Sequence, residues 1–148
     1  MWILVGMVLG YILVRDSGIR GGGVIVTNSK DEILFVQNTT SGQWEFPKGA
    51  YEPEDIAYYF TAIRVLKEET TLQPQNNYEI QPGGCRYGDT MYFYGTLTEV
   101  PAMKLPLENE YRGSGWFHRI ALPDLLHTDT LDWISEGMPS SCYLREEL

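Results

Sequence analysis

An α+β fold, with a mixed β-sheet held between helices, is predicted by three features of the sequence. Strand-like apolar runs fall into two groups, a stretch with helical periodicity separates them, and a second helical stretch follows. The 148 residues suit one domain with a substantial core, and 43% hydrophobic and 13% aromatic residues are the content of a globular chain.

The N-terminal "MWILVGMVLGYILV" carries no charge. It is shorter than the ~20 apolar residues that span a bilayer, and it lacks a basic n-region and a cleavage site. Residues 1–17 are therefore expected to form one or two buried strands, the alternative being a membrane-anchoring segment; residues 18–148 form the domain. "GGGVIVTN" and "DEILFVQN" read as strands joined by a polar turn at Asn28–Asp31, and Gly42–Gly49 as a loop. Residues 56–70 are helical in pattern, with Tyr59, Ile63 and Leu66 facing the core and Asp55 placed to cap the start. "YEIQPGG", "TMYFYGTLTEV" and "GSGWFHRI" read as further strands. "LPDLLHTDTLDWISEG" reads as a C-terminal helix or two short ones, giving the order β-β-α-β-β-α.

A net charge of -9 argues against non-specific attachment to nucleic acid or anionic lipid. Phosphorylated ligands remain open to such a chain when divalent cations bridge its carboxylates to the phosphates. Cys85 and Cys142 form no CxxC pair, which suggests neither a zinc site nor a disulfide and points to a reducing, cytoplasmic setting. His118 and His127 form no evident ligand pair and read as structural or surface residues.

The chemistry concentrates in "FTAIRVLKEETTL", residues 60–72. Glu68 and Glu69 lie on the side opposite the core residues, with Val65 angularly between them, where a carboxylate would complete a stripe able to hold hard cations. Arg64, one turn before Glu68, can orient its carboxylate. Alone, this helix also reads as a solvated charged face. The preceding "GQWEFPKGAYEPED" adds Lys48 to meet a phosphate and Glu52, Glu54 and Asp55 near the same helix. A loop and helix of this composition suit a polyphosphate bridged to the protein through Mg²⁺.

These residues resemble the box of the Nudix (MutT-like) hydrolases, G-x5-E-x7-R-E-U-x-E-E-x-G-U, where U is a bulky apolar residue. Gly49 matches its opening glycine, Asp55 its first acid, and Arg64, Leu66, Glu68, Glu69 and Leu72 its second half. The flanks are similar too: the first hairpin, "GQWEFPKG", and "ENEYRGSGWF" with Glu110 before a tryptophan. The likeness spans roughly residues 18–135. Three departures stand out. One extra residue lies between Asp55 and Arg64, Thr71 replaces the closing glycine, and Val65 replaces the glutamate after the arginine.

The resemblance implies a Nudix-like α/β/α sandwich and a pyrophosphohydrolase using Mg²⁺ or Mn²⁺. Glu68, Glu69, Asp55, Glu52 and Glu110 are the candidate metal ligands, and Glu69, Glu110 and Arg64 the candidate catalytic residues. Lys48 would steady a phosphate, and Trp44, Tyr51, Tyr87 or Tyr92 would stack on a base. The substrate would be a nucleoside-diphosphate-linked or dinucleoside-polyphosphate-type nucleotide, with an RNA end as a further partner. Val65 supports the alternative, a catalytically impaired domain that binds nucleotide, RNA or protein.

Overall fold

The computed structural model describes residues 18–98 and 111–136. The apolar segment 1–17, expected to be strand or anchor, and Glu110, expected to be a ligand, lie outside the described residues. The strands are β1 (Gly21–Thr27), β2 (Glu32–Asn38), β3 (Trp44–Glu45), β4 (Lys48–Ala50), β5 (Tyr78–Tyr87), β6 (Thr90–Leu97) and β7 (Tyr111–His118). A 3-10 turn at Pro53–Asp55 precedes helix α1 (Tyr58–Thr70), and α2 (Thr128–Glu136) follows β7.

The sheet runs β3-β2-β1-β6-β5, with β4 also paired to β1 and β7 to β2. The β1–β6 pair is parallel and the others antiparallel, which makes the sheet mixed as expected. Strand alternation sorts the apolar side chains onto two faces. Val24, Val26, Leu34, Met91 and Phe93 meet Tyr58, Ala62 and Leu66 of α1. Ile25, Ile33, Phe35, Phe46 and Tyr92 meet Trp133 of α2. The result is an α/β/α sandwich. The first turn falls where the polar run placed it: Asn28 Oδ1 accepts from the backbone N–H of Lys30 and Glu32.

The triple glycine at the start of β1 lets neighbouring backbones close in. A Cβ on Gly22 would lie 2.5 Å from the Tyr58 carbonyl oxygen of α1. One on Gly23 would lie 2.6 Å from the Pro47 carbonyl oxygen. Helix and sheet therefore meet backbone to backbone beside the candidate site.

Four sequence expectations are corrected. The buried stripe of α1 is Tyr58, Ala62, Val65, Leu66 and Glu69, so Val65 and Glu69 point inward and only Glu68 outward. Tyr59 and Ile63 are half-buried, because the helix is rotated toward the glycine strand it packs on. The N-cap of α1 is Ala57, with no side-chain cap; Asp55 belongs to the 3-10 turn. Among the described residues of the C-terminal stretch, one helix is present, Thr128–Glu136, a shorter span than read. Cys85, finally, is disulfide-bonded rather than a free thiol. Among the described residues no helix is long and apolar enough to cross a membrane.

Thr71, in place of the box glycine, is the C-cap of α1 with φ 66° and ψ 4°, the left-handed conformation that glycine adopts without penalty. Thr71→Gly is expected to stabilise the protein by about 0.5–1 kcal/mol in urea unfolding. Gly22→Ala is expected to cost about 1–3 kcal/mol, since the added methyl meets helix backbone that cannot yield.

Candidate active site

The site is built on the chain from Gly49 to Thr70, and its centre is the contact between Arg64 and Asp55. Arg64 Nε donates to Asp55 Oδ1 and Arg64 Nη2 to Asp55 Oδ2, each at 2.9 Å. The geometry is bidentate, and charge assistance makes such pairs strong. Nη2 also donates to the Ala50 carbonyl at 2.9 Å, tying the helix to β4. Nη1 lies 3.3 Å from Glu68 Oε1 and 3.8 Å from Glu52 Oε2.

Asp55 is buried and draws further donors: the backbone N–H of Glu52 at 2.9 Å and the Thr61 hydroxyl at 2.8 Å. Burial alone would push its pKa up. The hydrogen bonds from Arg64, Glu52 and Thr61 outweigh it and hold the carboxyl below its ordinary value. With both oxygens so engaged, Asp55 fastens the loop to the helix.

The extra residue ahead of the arginine is taken up at Ile56. Its φ of 72° and ψ of -44°, with the Ala57 N–H donating to the Asp55 carbonyl at 2.8 Å, describe a γ-turn. A β-branched residue rarely adopts this conformation. Ile56 is thrown outward, 67% exposed, while Asp55 keeps its grip on Arg64.

Val65 is buried in apolar contact with the loop. A Cβ on Gly49 would lie 2.7 Å from a Val65 methyl, so only glycine fits opposite this side chain. Glu69, one turn further on the same face, is buried to 9% exposure, whereas the Glu68 side chain is 62% exposed. The two adjacent glutamates thus occupy different environments at the C-terminal end of one helix. Among the described residues no group of three His, Cys, Asp or Glu is arranged to hold a metal ion.

Lys48 projects from the other face of β4, toward α2. Its Nζ lies 3.4 Å from His127 Nε2 and 3.9 Å from Asp129 Oδ2. Asp129 is buried and accepts from the Tyr92 hydroxyl at 3.3 Å. Burial raises the Asp129 pKa, and burial together with the Lys48 charge lowers that of His127. Sequence reading missed His127 and Asp129: His127 stands 79 positions from Lys48, and only the fold brings them together. Their local signal, polar "HTDT" ahead of an apolar helix, spoke only of a helix start.

A cavity of about 350 Å³ opens beside β4, lined by Arg20, Glu45, Lys48, Gly49, Asp89 and Thr90 among others. Trp44 is half-buried, its ring edge-on to Phe117 at 5.0 Å, and its backbone is bonded to Leu125 and His127. Tyr51 is half-buried against Tyr58. Tyr87 and Tyr92 are buried in the α2-facing core with centroids 6.0 Å apart, so their expected role in stacking on a base is corrected.

A mixed sheet between helices, with a glycine-opened loop fastened to its helix by an arginine–acid pair, defines a Nudix-type domain. Residues 19–136 match the family model of the NUDIX domain, and the chain belongs to that family. Solved structures agree in fold. An Ap4A hydrolase of C. elegans, in a binary complex, is 17% identical with a TM-score of 0.64, the match covering 84% of this chain and 97% of that one. The NUDIX domain of Shewanella oneidensis NrtR, complexed with ADP ribose, is 19% identical with a TM-score of 0.60, covering 86% and 90%. An ADP-ribose pyrophosphatase of Streptococcus suis is 20% identical with a TM-score of 0.59, covering 81% and 90%.

Asp55→Asn is expected to cost about 3 kcal/mol at neutral pH, because it leaves the Arg64 guanidinium facing a neutral amide. The wild-type pair contributes fully above the unfolded carboxylate pKa of about 3.9, and its contribution is lost as pH falls through the lower folded value. Urea unfolding across that range should show a steeper acid limb for the wild type than for Asp55→Asn.

Proposed function

We propose that this chain is a Nudix-type pyrophosphohydrolase, cleaving a P–O–P bond in a nucleoside-diphosphate-linked or dinucleoside-polyphosphate-type substrate with Mg²⁺ or Mn²⁺. The carrying observation is the Arg64–Asp55 pair: it persists in bidentate form around an inserted residue, at the cost of a strained turn. That pair sets how α1 presents Glu68 and Glu69 to the loop. A helix that served only as scaffold would be more stable without these acids, which stand at its electronegative end, one of them buried.

Glu68 and Glu69 leave the helix in different directions, but both are carboxylates, the donor chemistry a hard cation takes. Mg²⁺ is commonly held by one or two carboxylates, with substrate phosphates and water completing the shell. Glu110 is the further ligand we assign, and Glu52, exposed beside Arg64, lies within the same group. Bound there, the cation supplies charge neutralisation for the phosphates and a lowered pKa for the attacking water. Glu69 or Glu110 takes the water's proton, the task Val65 cannot perform. Arg64 orients the Glu68 carboxylate. Lys48 steadies a phosphoryl oxygen at the cavity wall, and the half-buried rings of Trp44 and Tyr51 offer faces for a base.

One observation favours a second reading, a silent domain that binds nucleotide, RNA end or protein. Val65 has repacked as a core residue against Gly49, at the position where an active member would place a carboxylate.

Chromatographic detection of the nucleotide products from a panel including ADP-ribose, Ap4A and 5′-triphosphorylated RNA, with Mg²⁺ or Mn²⁺, separates the two. Turnover is expected to fall about a hundredfold or more in the Glu68→Gln, Glu69→Gln double variant. Wild-type turnover no greater than that of the double variant overturns the enzyme. Val65→Glu is expected to raise the rate by about 10²-fold. It should also lower the Tm without metal and regain it on adding Mg²⁺, since a buried carboxylate then acquires its counter-ion. A Tm indifferent to Mg²⁺ would place residue 65 out of the cation's reach.

A further inference from the structure

The structure assigns a covalent clasp between the sheet and the chain beyond α2, a Cys85–Cys142 disulfide whose closure fixes α2 and whose reduction loosens it. Cys85 is disulfide-bonded, and among the described residues no cysteine is free. The sequence holds two cysteines, so the sulfur bonded to Cys85 is that of Cys142, which lies outside the described residues.

The surroundings of Cys85 show what the bond holds. Cys85 stands on β5 opposite Tyr92 of β6, and its neighbour Gly84 faces the α1 side, beside Met91 and Phe93. Strand alternation therefore turns Cys85 toward α2, where it is buried among Phe46, Tyr87, Tyr92 and Trp133. α2 is nine residues long, shorter than the ~12 that hold a helix together unaided, so packing decides where it sits. Its head is tied by the His127 N–H donating to the Trp44 carbonyl. Its middle is tied by the Trp133 indole N–H donating to the Tyr94 hydroxyl at 3.0 Å. Neither bond restrains the C-terminal end. Cys142 follows that end in the sequence, and its bond to Cys85 supplies the anchor there.

Closing the clasp takes one proton and one electron from each thiol. A small disulfide such as oxidised glutathione accepts the two electrons and two protons. One cysteine thiolate attacks it and releases one small thiol, and the other cysteine displaces the second. The reverse exchange needs a thiolate to reach a protein sulfur, and the burial of Cys85 withholds that sulfur while α2 is seated. The chain therefore keeps the bond once it is made in an oxidising setting, in contrast to the reducing one that its cysteine spacing suggested. Loss of the bond leaves α2 held by packing and those two hydrogen bonds, and α2 is the element that brings His127 and Asp129 to Lys48.

Thiol labelling and peptide mapping of the full chain, unfolded without reductant after equilibration with oxidised glutathione, read the bond without requiring turnover. The expected result is a monomer with no labelled cysteine and one cross-linked pair of tryptic peptides, carrying Cys85 and Cys142. Once labelling shows both thiols reduced, the Tm is expected to be about 10 °C lower, since a closed loop of about 60 residues has been opened. Amides of Thr128–Glu136 should then exchange hydrogen about tenfold faster. Cys142→Ser should match the reduced wild type in Tm and be indifferent to reductant. Two labelled thiols in the equilibrated wild type, or a disulfide-linked dimer, would overturn the clasp. So would a reduced wild type whose Tm and helix exchange equal those of the oxidised chain.

Discussion

The Arg64–Asp55 contact is the constraint on which the rest of the site depends. It joins a loop to a helix across nine residues, and the same guanidinium reaches the Ala50 carbonyl and the Glu68 carboxylate. A planar five-donor group can fasten strand, turn and helix at once, which a lysine could not do. The half-buried setting strengthens each bond and gives the loop one geometry. Without this fastening, the loop after Gly49 would be held mainly by the short β4 pairing.

Strand alternation on β4 then divides the chemistry. Gly49 turns its bare Cα toward Val65 and α1, while Lys48 turns its ammonium toward His127 and α2. Three residues of strand thus present two surfaces back to back, one toward α1 and one toward α2. The triple glycine of β1 makes this possible by letting α1 and the loop approach the sheet with no side chain between. The two cores on either face, one dominated by aliphatic residues and one by aromatic rings, hold the two surfaces in register.

Much of this was legible in the sequence because it rests on local pattern. Runs of apolar and β-forming residues marked β1, β2, β5 and β6, the polar run at Asn28 marked the first turn, and apolar periodicity marked the helix after the Gly49 loop. The helix was read one face out of phase. Ile63 and Tyr59 carry the apolar signal, yet the buried stripe includes Val65 and Glu69, a polar residue that no hydrophobic period would place inside. The fastening role of Asp55 was hidden for a related reason: its partners Thr61 and Arg64 lie six and nine residues on, and nothing in the local pattern pairs them. His127 and Asp129 were out of reach altogether, since their partner lies on a strand closed far earlier in the chain.

The γ-turn at Ile56 bears on how such sites are recognised and how they diverge. One residue has been extruded from the loop, and the carboxylate and guanidinium it separates are still 2.9 Å apart. Chemistry is indifferent to the number of residues between two groups so long as the backbone can fold the surplus away. The register of this loop is therefore kept in ångströms, and a pattern that counts letters scores as damage what the molecule treats as slack. Length variation at that point leaves the Arg64–Asp55 contact in place, whereas a change at Val65 alters which atoms stand opposite Gly49.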